Sequence, residues 1–118
     1  MLEKMFAVQD EMAARFIPIE KFVKKEMPNA EVQDWTLRYL DCVVEEVVEM
    51  KREYPRRKFW KKGNDSQPHN EAAALEEFTD ILHFLFAVAR INAWTPEQVY
   101  TAYMAKYEKN KERFKPTI

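Results

Sequence analysis

Two pairs of acidic residues hold the chemistry this sequence can do. Glu46 and Glu49 lie in the stretch Glu45-Glu46-Val47-Val48-Glu49, and Glu77 and Asp80 in Glu76-Glu77-Phe78-Thr79-Asp80. Within each pair the carboxylates are three residues apart, and positions i and i+3 share one face of a helix. Two such helices packed side by side bring four carboxylates to one point. Like charges that close either take up protons or recruit a cation. All-oxygen ligands with room for water suit Mg2+, with Mn2+ as a substitute, and Mg2+ typically bridges phosphates. The spacing therefore predicts a metal-dependent phosphate site on a helical scaffold.

The elements that must position these acids are legible from periodicity and punctuation. Residues 2–15 read as a first helix with Leu2, Met5, Phe6, Gln9, Met12 and Ala13 on one face, and Pro18 ends it. A short helical piece over 19–27 precedes Pro28. Asn29 is a candidate N-cap for a long helix over 30–53, which Pro55 stops. Residues 54–70 form a long connection. Asn70 then caps a helix over 71–92 that is apolar almost all round from Phe78 to Ile91, so it should lie centrally. Thr95-Pro96-Glu97-Gln98 is a capping box with Pro at the first helical position, opening a last helix to about 113. No segment alternates as a strand does. The expectation is an all-α, four-to-five-helix bundle, a single domain over 1–118.

The register brings the acids together. Glu49 lies about 6 Å before the end of its helix and Glu77 about 9 Å after the start of the next, at 1.5 Å per residue. In an antiparallel hairpin these depths nearly match, and the 54–70 connection emerges above the acids. That connection carries Arg56, Arg57, Lys58, Lys61 and Lys62 around Phe59-Trp60. A connection this long in a small domain is usually functional. Its cations are placed to fold over a metal-bound polyphosphate.

Each feature also has a plainer reading. An acid pair on a helix is ordinarily a solvated face. Here Glu77 and Asp80 sit in the most apolar helix, where an unpaired charge is costly. The basic run could instead be a helix-end tail or contact nucleic acid. One short cluster on a near-neutral chain argues against nucleic acid. Trp60 could stack a base or merely cover the core. His83 follows Asp80 by three residues, as in di-iron bundles, but no second such motif exists, and His83 reads as a packed histidine or one that supports the acids from behind. Cys42 reads as a small core residue.

The totals agree. The chain has 118 residues, 47% hydrophobic and 14% aromatic, enough for one modest core. Its one glycine argues against a β-sandwich or a glycine-rich phosphate loop and for long helices, and its formal charge of −1 gives no global steering toward nucleic acid or membrane. The lone Cys42 forms no intrachain disulfide, and Met1-Leu2-Glu3-Lys4 lacks a signal-peptide apolar run, so the expected location is the cytoplasm. A helix apolar on all sides in a thin bundle predicts a homodimer, with a tetramer as alternative.

On these residues the chain resembles the all-α nucleoside triphosphate pyrophosphohydrolases, which include MazG-like enzymes and dimeric dUTPases. Their signature is E-x-x-E on one helix and E-x-x-D on the next, matched by Glu46/Glu49 and Glu77/Asp80. Gln9 is similar to the dUTPase branch's base-contacting glutamine, and Trp60-Lys61-Lys62 to its W-K segment. Asp80 to Phe84 resembles its second acid motif. Tyr103, Lys106, Asn110 and Arg113 resemble its closing Y-x-x-K-x-x-x-N-x-x-R pattern. The resemblance implies Mg2+-dependent hydrolysis of dUTP to dUMP and pyrophosphate, or of another nucleotide by a MazG-like enzyme. It implies metal ligation by the four acids, with Glu46 or Glu49 taking the proton of water. Phosphate contacts fall to Lys58, Lys61, Lys62, Lys106 and Arg113, with Arg57 a further candidate. Gln9, Trp60 and Asn110 would read the base, Tyr103 would support the sugar and Phe84 would lie against its 2′ position. A non-enzymatic helical interaction module is the rival from a different class.

Overall fold

The computed structural model describes residues 1–62 and 67–116, so residues 63–66 of the 54–70 connection lie outside the described residues. The described chain is helical without strands: α1 (Leu2–Ala13), α2 (Ile19–Val23), α3 (Asn29–Arg52), a 3-10 turn (Pro55–Arg57), α4 (Glu71–Ile91) and α5 (Pro96–Arg113). The all-α expectation holds.

Helix ends follow local chemistry. Asn70 Oδ1 accepts from the Ala73 N–H at 3.0 Å and starts α4. Thr95 and Gln98 form the expected reciprocal box, at 3.1 Å and 2.8 Å. Asn29 does not cap α3. Pro28 holds the cap position with φ −60° and ψ 151°, and Asn29 is already helical. Two helices are shorter than their apolar pattern suggests. α1 opens after Ala13, and α2 ends at Val23 because Lys25 turns left-handed at φ 60°. Ala93 does the same after α4, also at φ 60°. Each closes its helix by a pair of back-bonds, Trp94 N–H to Ala89 O at 2.9 Å and Ala93 N–H to Arg90 O at 3.0 Å in the second case.

The most extensive pairing in the fold is α3 along α4, with α1 and α2 laid across α4. The core lies where the end of α1, α2, the start of α3 and the end of α4 meet. Ala13, Ile17, Ile19, Phe22 and Ile91 are buried there, and Val32, Trp35 and Tyr39 pack on them. Burying a side chain such as Phe22 or Ile91 contributes about 1.5–3 kcal/mol. Polar clips fix the same end. Arg90 donates two hydrogen bonds to Asp10, at 2.9 Å and 3.0 Å, tying α4 to α1. Asn92 Nδ2 donates to Thr36 Oγ1 at 3.0 Å, tying α4 to α3.

α4 is central, but not covered all round. Ala74, Ala87, Val88, Ala89 and Ile91 are buried, whereas Leu75, Phe78 and Leu85 are exposed. Nothing on α5 is buried. The radius of gyration is 18.0 Å, against about 13.5 Å for a compact domain of this length.

Candidate metal and nucleotide site

The hairpin of α3 and α4 brings the acid pairs together. Single carboxylate oxygens of Glu46, Glu77 and Asp80 lie within 4.8 Å of one another. Glu49 stands just outside this trio, close enough to interact with both Glu46 and Glu77. Its other side faces a groove with Val48 and Arg52.

The cluster is short of donors. Glu46 Oε2 and Glu77 Oε2 are both buried with no hydrogen-bond partner among the described residues. Desolvation, then the proton that Glu46 can share with the Glu77 or Glu49 carboxyl only when protonated, and the charges of Glu49 and Asp80 push the Glu46 carboxyl up to about 7. Glu77 is also raised, first by desolvation. Two ionised carboxylates cannot hydrogen-bond each other, so without a cation the pair shares a proton. A divalent cation satisfies the same orphaned oxygens without protonation. The donor set is all oxygen, which fits Mg2+ or Mn2+.

Asp80 also borders a cavity of about 650 Å3 between α1, α3 and α4. Gln9 comes to it from α1, Trp35, Arg38 and Tyr39 from α3, and His83 and Phe84 from α4. Its aromatic wall is continuous. Tyr39 and Phe84 have ring centroids 5.9 Å apart, and Trp35 and Tyr39 6.3 Å. The Arg38 guanidinium lies 4.6 Å over the Trp35 ring. Burial pushes the Tyr39 phenol up and the Cys42 thiol up, so both stay protonated at neutral pH. Such a wall, opening on a carboxylate cluster, has the size and polarity to take a nucleoside with its phosphates toward the acids.

The basic residues divide into two groups. Arg57 and Lys58 line a smaller cleft with Val48, Lys51 and Arg52, one residue along α3 from Glu49. Lys51 and Arg52 were not singled out from the sequence. Lys61 and Lys62 are exposed just beyond. Trp60 is 67% exposed and meets Phe59 edge-on at 5.3 Å, outside the cavity that Asp80 borders. At the base of the connection Tyr54 stacks on His69 at 4.6 Å.

Residues on α5 are not brought to the acids within one copy of the chain. Tyr103 and Lys106 border a separate hollow of about 580 Å3 with Trp94 and Gln98. Asn110 is half-buried, and Arg113 lies over the Phe114 ring at 5.4 Å. Trp35, Arg38 and Tyr39, by contrast, are cavity residues that were not singled out from the sequence. The available signal was their spacing. Positions 35, 38/39, 42, 46 and 49 run down one face of α3 and end at the acids.

An all-helical fold, a carboxylate cluster and an adjoining aromatic cavity fit a helical nucleotide pyrophosphohydrolase, a hydrolase of acid anhydrides. The family model described as dUTPase matches residues 1–95, and the chain belongs to that family. The match ends as α5 begins. No curated protein and no solved structure matches the chain.

Proposed function

We propose that the protein hydrolyses dUTP to dUMP and pyrophosphate with Mg2+, Mn2+ being a substitute. The observation that carries this is the pair of orphaned inner oxygens on Glu46 and Glu77, beside a cavity that Asp80 also borders. Glu46, Glu49, Glu77 and Asp80 would hold the metal, which would neutralise phosphate charge and make a water molecule more acidic. Glu49, outside the tight trio, takes the proton from the attacking water. Arg57 and Lys58 bind phosphate oxygens from their cleft, with Lys61 and Lys62 beyond them. Gln9 reads the base, Trp35 and Tyr39 stack with it, and Phe84 lies against the sugar and favours the deoxy form.

The α5 residues fit the same reading if two copies associate. Leu37, Leu40, Val44 and Val47 on α3 and Leu75 and Phe78 on α4 are exposed apolar side chains that a second copy covers. In a homodimer (or tetramer), Tyr103, Lys106, Asn110 and Arg113, together with Trp60, reach a neighbouring subunit's site. We place the whole chain in one domain acting in the cytoplasm, without nucleic acid. No helix among the described residues is long and apolar enough to cross a membrane.

A panel of deoxynucleoside and nucleoside triphosphates, assayed for phosphate release in the presence of inorganic pyrophosphatase, tests this. The deoxyuridine substrate should dominate and activity should require Mg2+. Preference for another nucleotide would replace uracil while keeping the chemistry. No turnover of any nucleotide by folded, metal-loaded protein would refute the enzyme.

A further inference from the structure

Gln9 is the one buried polar residue among those described, 5% exposed on the cavity wall. Its Oε1 lies 2.8 Å from His83 Nδ1. With the amide oxygen toward the ring, the pairing tautomer is the one in which Nδ1 carries the proton and donates to Oε1. In that tautomer the contact favours one of two amide orientations that are nearly equal in shape. The Gln9 Nε2, with two N–H groups, has no partner among the described residues. The sealed atoms without a partner are Glu46 Oε2 and Glu77 Oε2, not Gln9 Nε2, so this donor opens onto the cavity that Gln9 borders and is free for an acceptor there.

We infer that His83 is a positioning residue that turns the Gln9 amide so that the cavity presents a donor to the base. This deepens the nucleotide reading above and rests on it. A pyrimidine with an oxo group at its 4 position accepts from Gln9. One with an amino group there sets donor against donor and leaves both without a partner. The site therefore selects uracil over cytosine through a histidine that need not touch the substrate. Without the Nδ1 donor the amide is free to turn over, and discrimination falls.

Two variants and one spectrum test this. His83→Phe keeps a ring and removes the donor, while His83→Asn keeps an N–H near the Nδ1 position. The ratio of kcat/KM for deoxyuridine over deoxycytidine triphosphate should fall at least about tenfold in H83F and recover in H83N. A long-range 1H–15N correlation spectrum of the metal-free protein should show the Nδ1–H tautomer for His83. An unchanged ratio in H83F, no recovery in H83N, or an Nε2–H tautomer each overturns the inference. A wild-type enzyme that turns over neither nucleotide overturns the proposed function instead, and His83 then has no base to select for. A folded, active wild type with an unaltered ratio in H83F isolates the failure to His83.

Discussion

Glu46 bears the electrostatic strain of the site. Its carboxyl stands at about 7, above the ordinary 4.5. A carboxyl whose folded pKa is raised favours the fold in its protonated form. That contribution is whole below the unfolded pKa and is lost as pH rises through the folded one. The metal-free protein should therefore lose melting temperature between about pH 5 and pH 8, and Glu46→Gln should flatten this slope. Differential scanning fluorimetry across that range, with chelator present, reads it directly. In the wild type, Mg2+ at 100 times its Kd should add about 2.7 kcal/mol of stability near pH 8, and Asp80→Asn should remove most of that gain. On the cavity wall, Trp35→Ala should raise KM about tenfold or more, since stacking on a base is worth about 1–3 kcal/mol. Steady-state kinetics with kcat little changed would place Trp35 in binding rather than in the chemical step.

At the scale of elements, much of this was legible and some was not. The acid pairs were legible because two independent facts agreed, the i,i+3 spacing and the matching depths in a helical hairpin. The α5 start was legible because Thr95, Pro96 and Gln98 each act within one turn. Asn29 was misleading, because an adjacent proline took the cap position. Trp35 and Tyr39 were hidden because an aromatic on a helix face looks the same over a core as over a cavity, and here they border both. Lys25 and Ala93 were hidden because left-handed caps usually announce themselves by glycine, and the chain has only one. That gives a test of the α4–α5 junction. Ala93→Gly should stabilise the protein by about 1 kcal/mol, the cost of holding a Cβ in the left-handed region. Thr95→Ala should destabilise it by about 1 kcal/mol through loss of the capping bond. Urea denaturation with unchanged m-values would report both.

At the scale of the molecule, one chain builds the carboxylate cluster and the cavity but leaves α5 apart from them. The 18.0 Å radius of gyration and the uncovered apolar side chains on α3 and α4 are the observations behind the proposed association of copies. Light scattering after size exclusion should give at least twice the 14.2 kDa chain mass. Phe78→Asp should shift the population toward single chains. If Lys106 acts across the interface, Lys106→Ala and Asp80→Asn subunits mixed in one dimer should restore part of the activity that each homodimer lacks. The central claim, that the carboxylate cluster and its cavity split a nucleoside triphosphate between the α and β phosphates, is tested most directly by 31P NMR of dUTP with the protein. With Mg2+ the three dUTP resonances should give way to those of dUMP and pyrophosphate. With chelator, or with Asp80→Asn, they should persist. A dUTP spectrum unchanged by folded wild-type protein in saturating Mg2+, or one giving dUDP and inorganic phosphate, would contradict it.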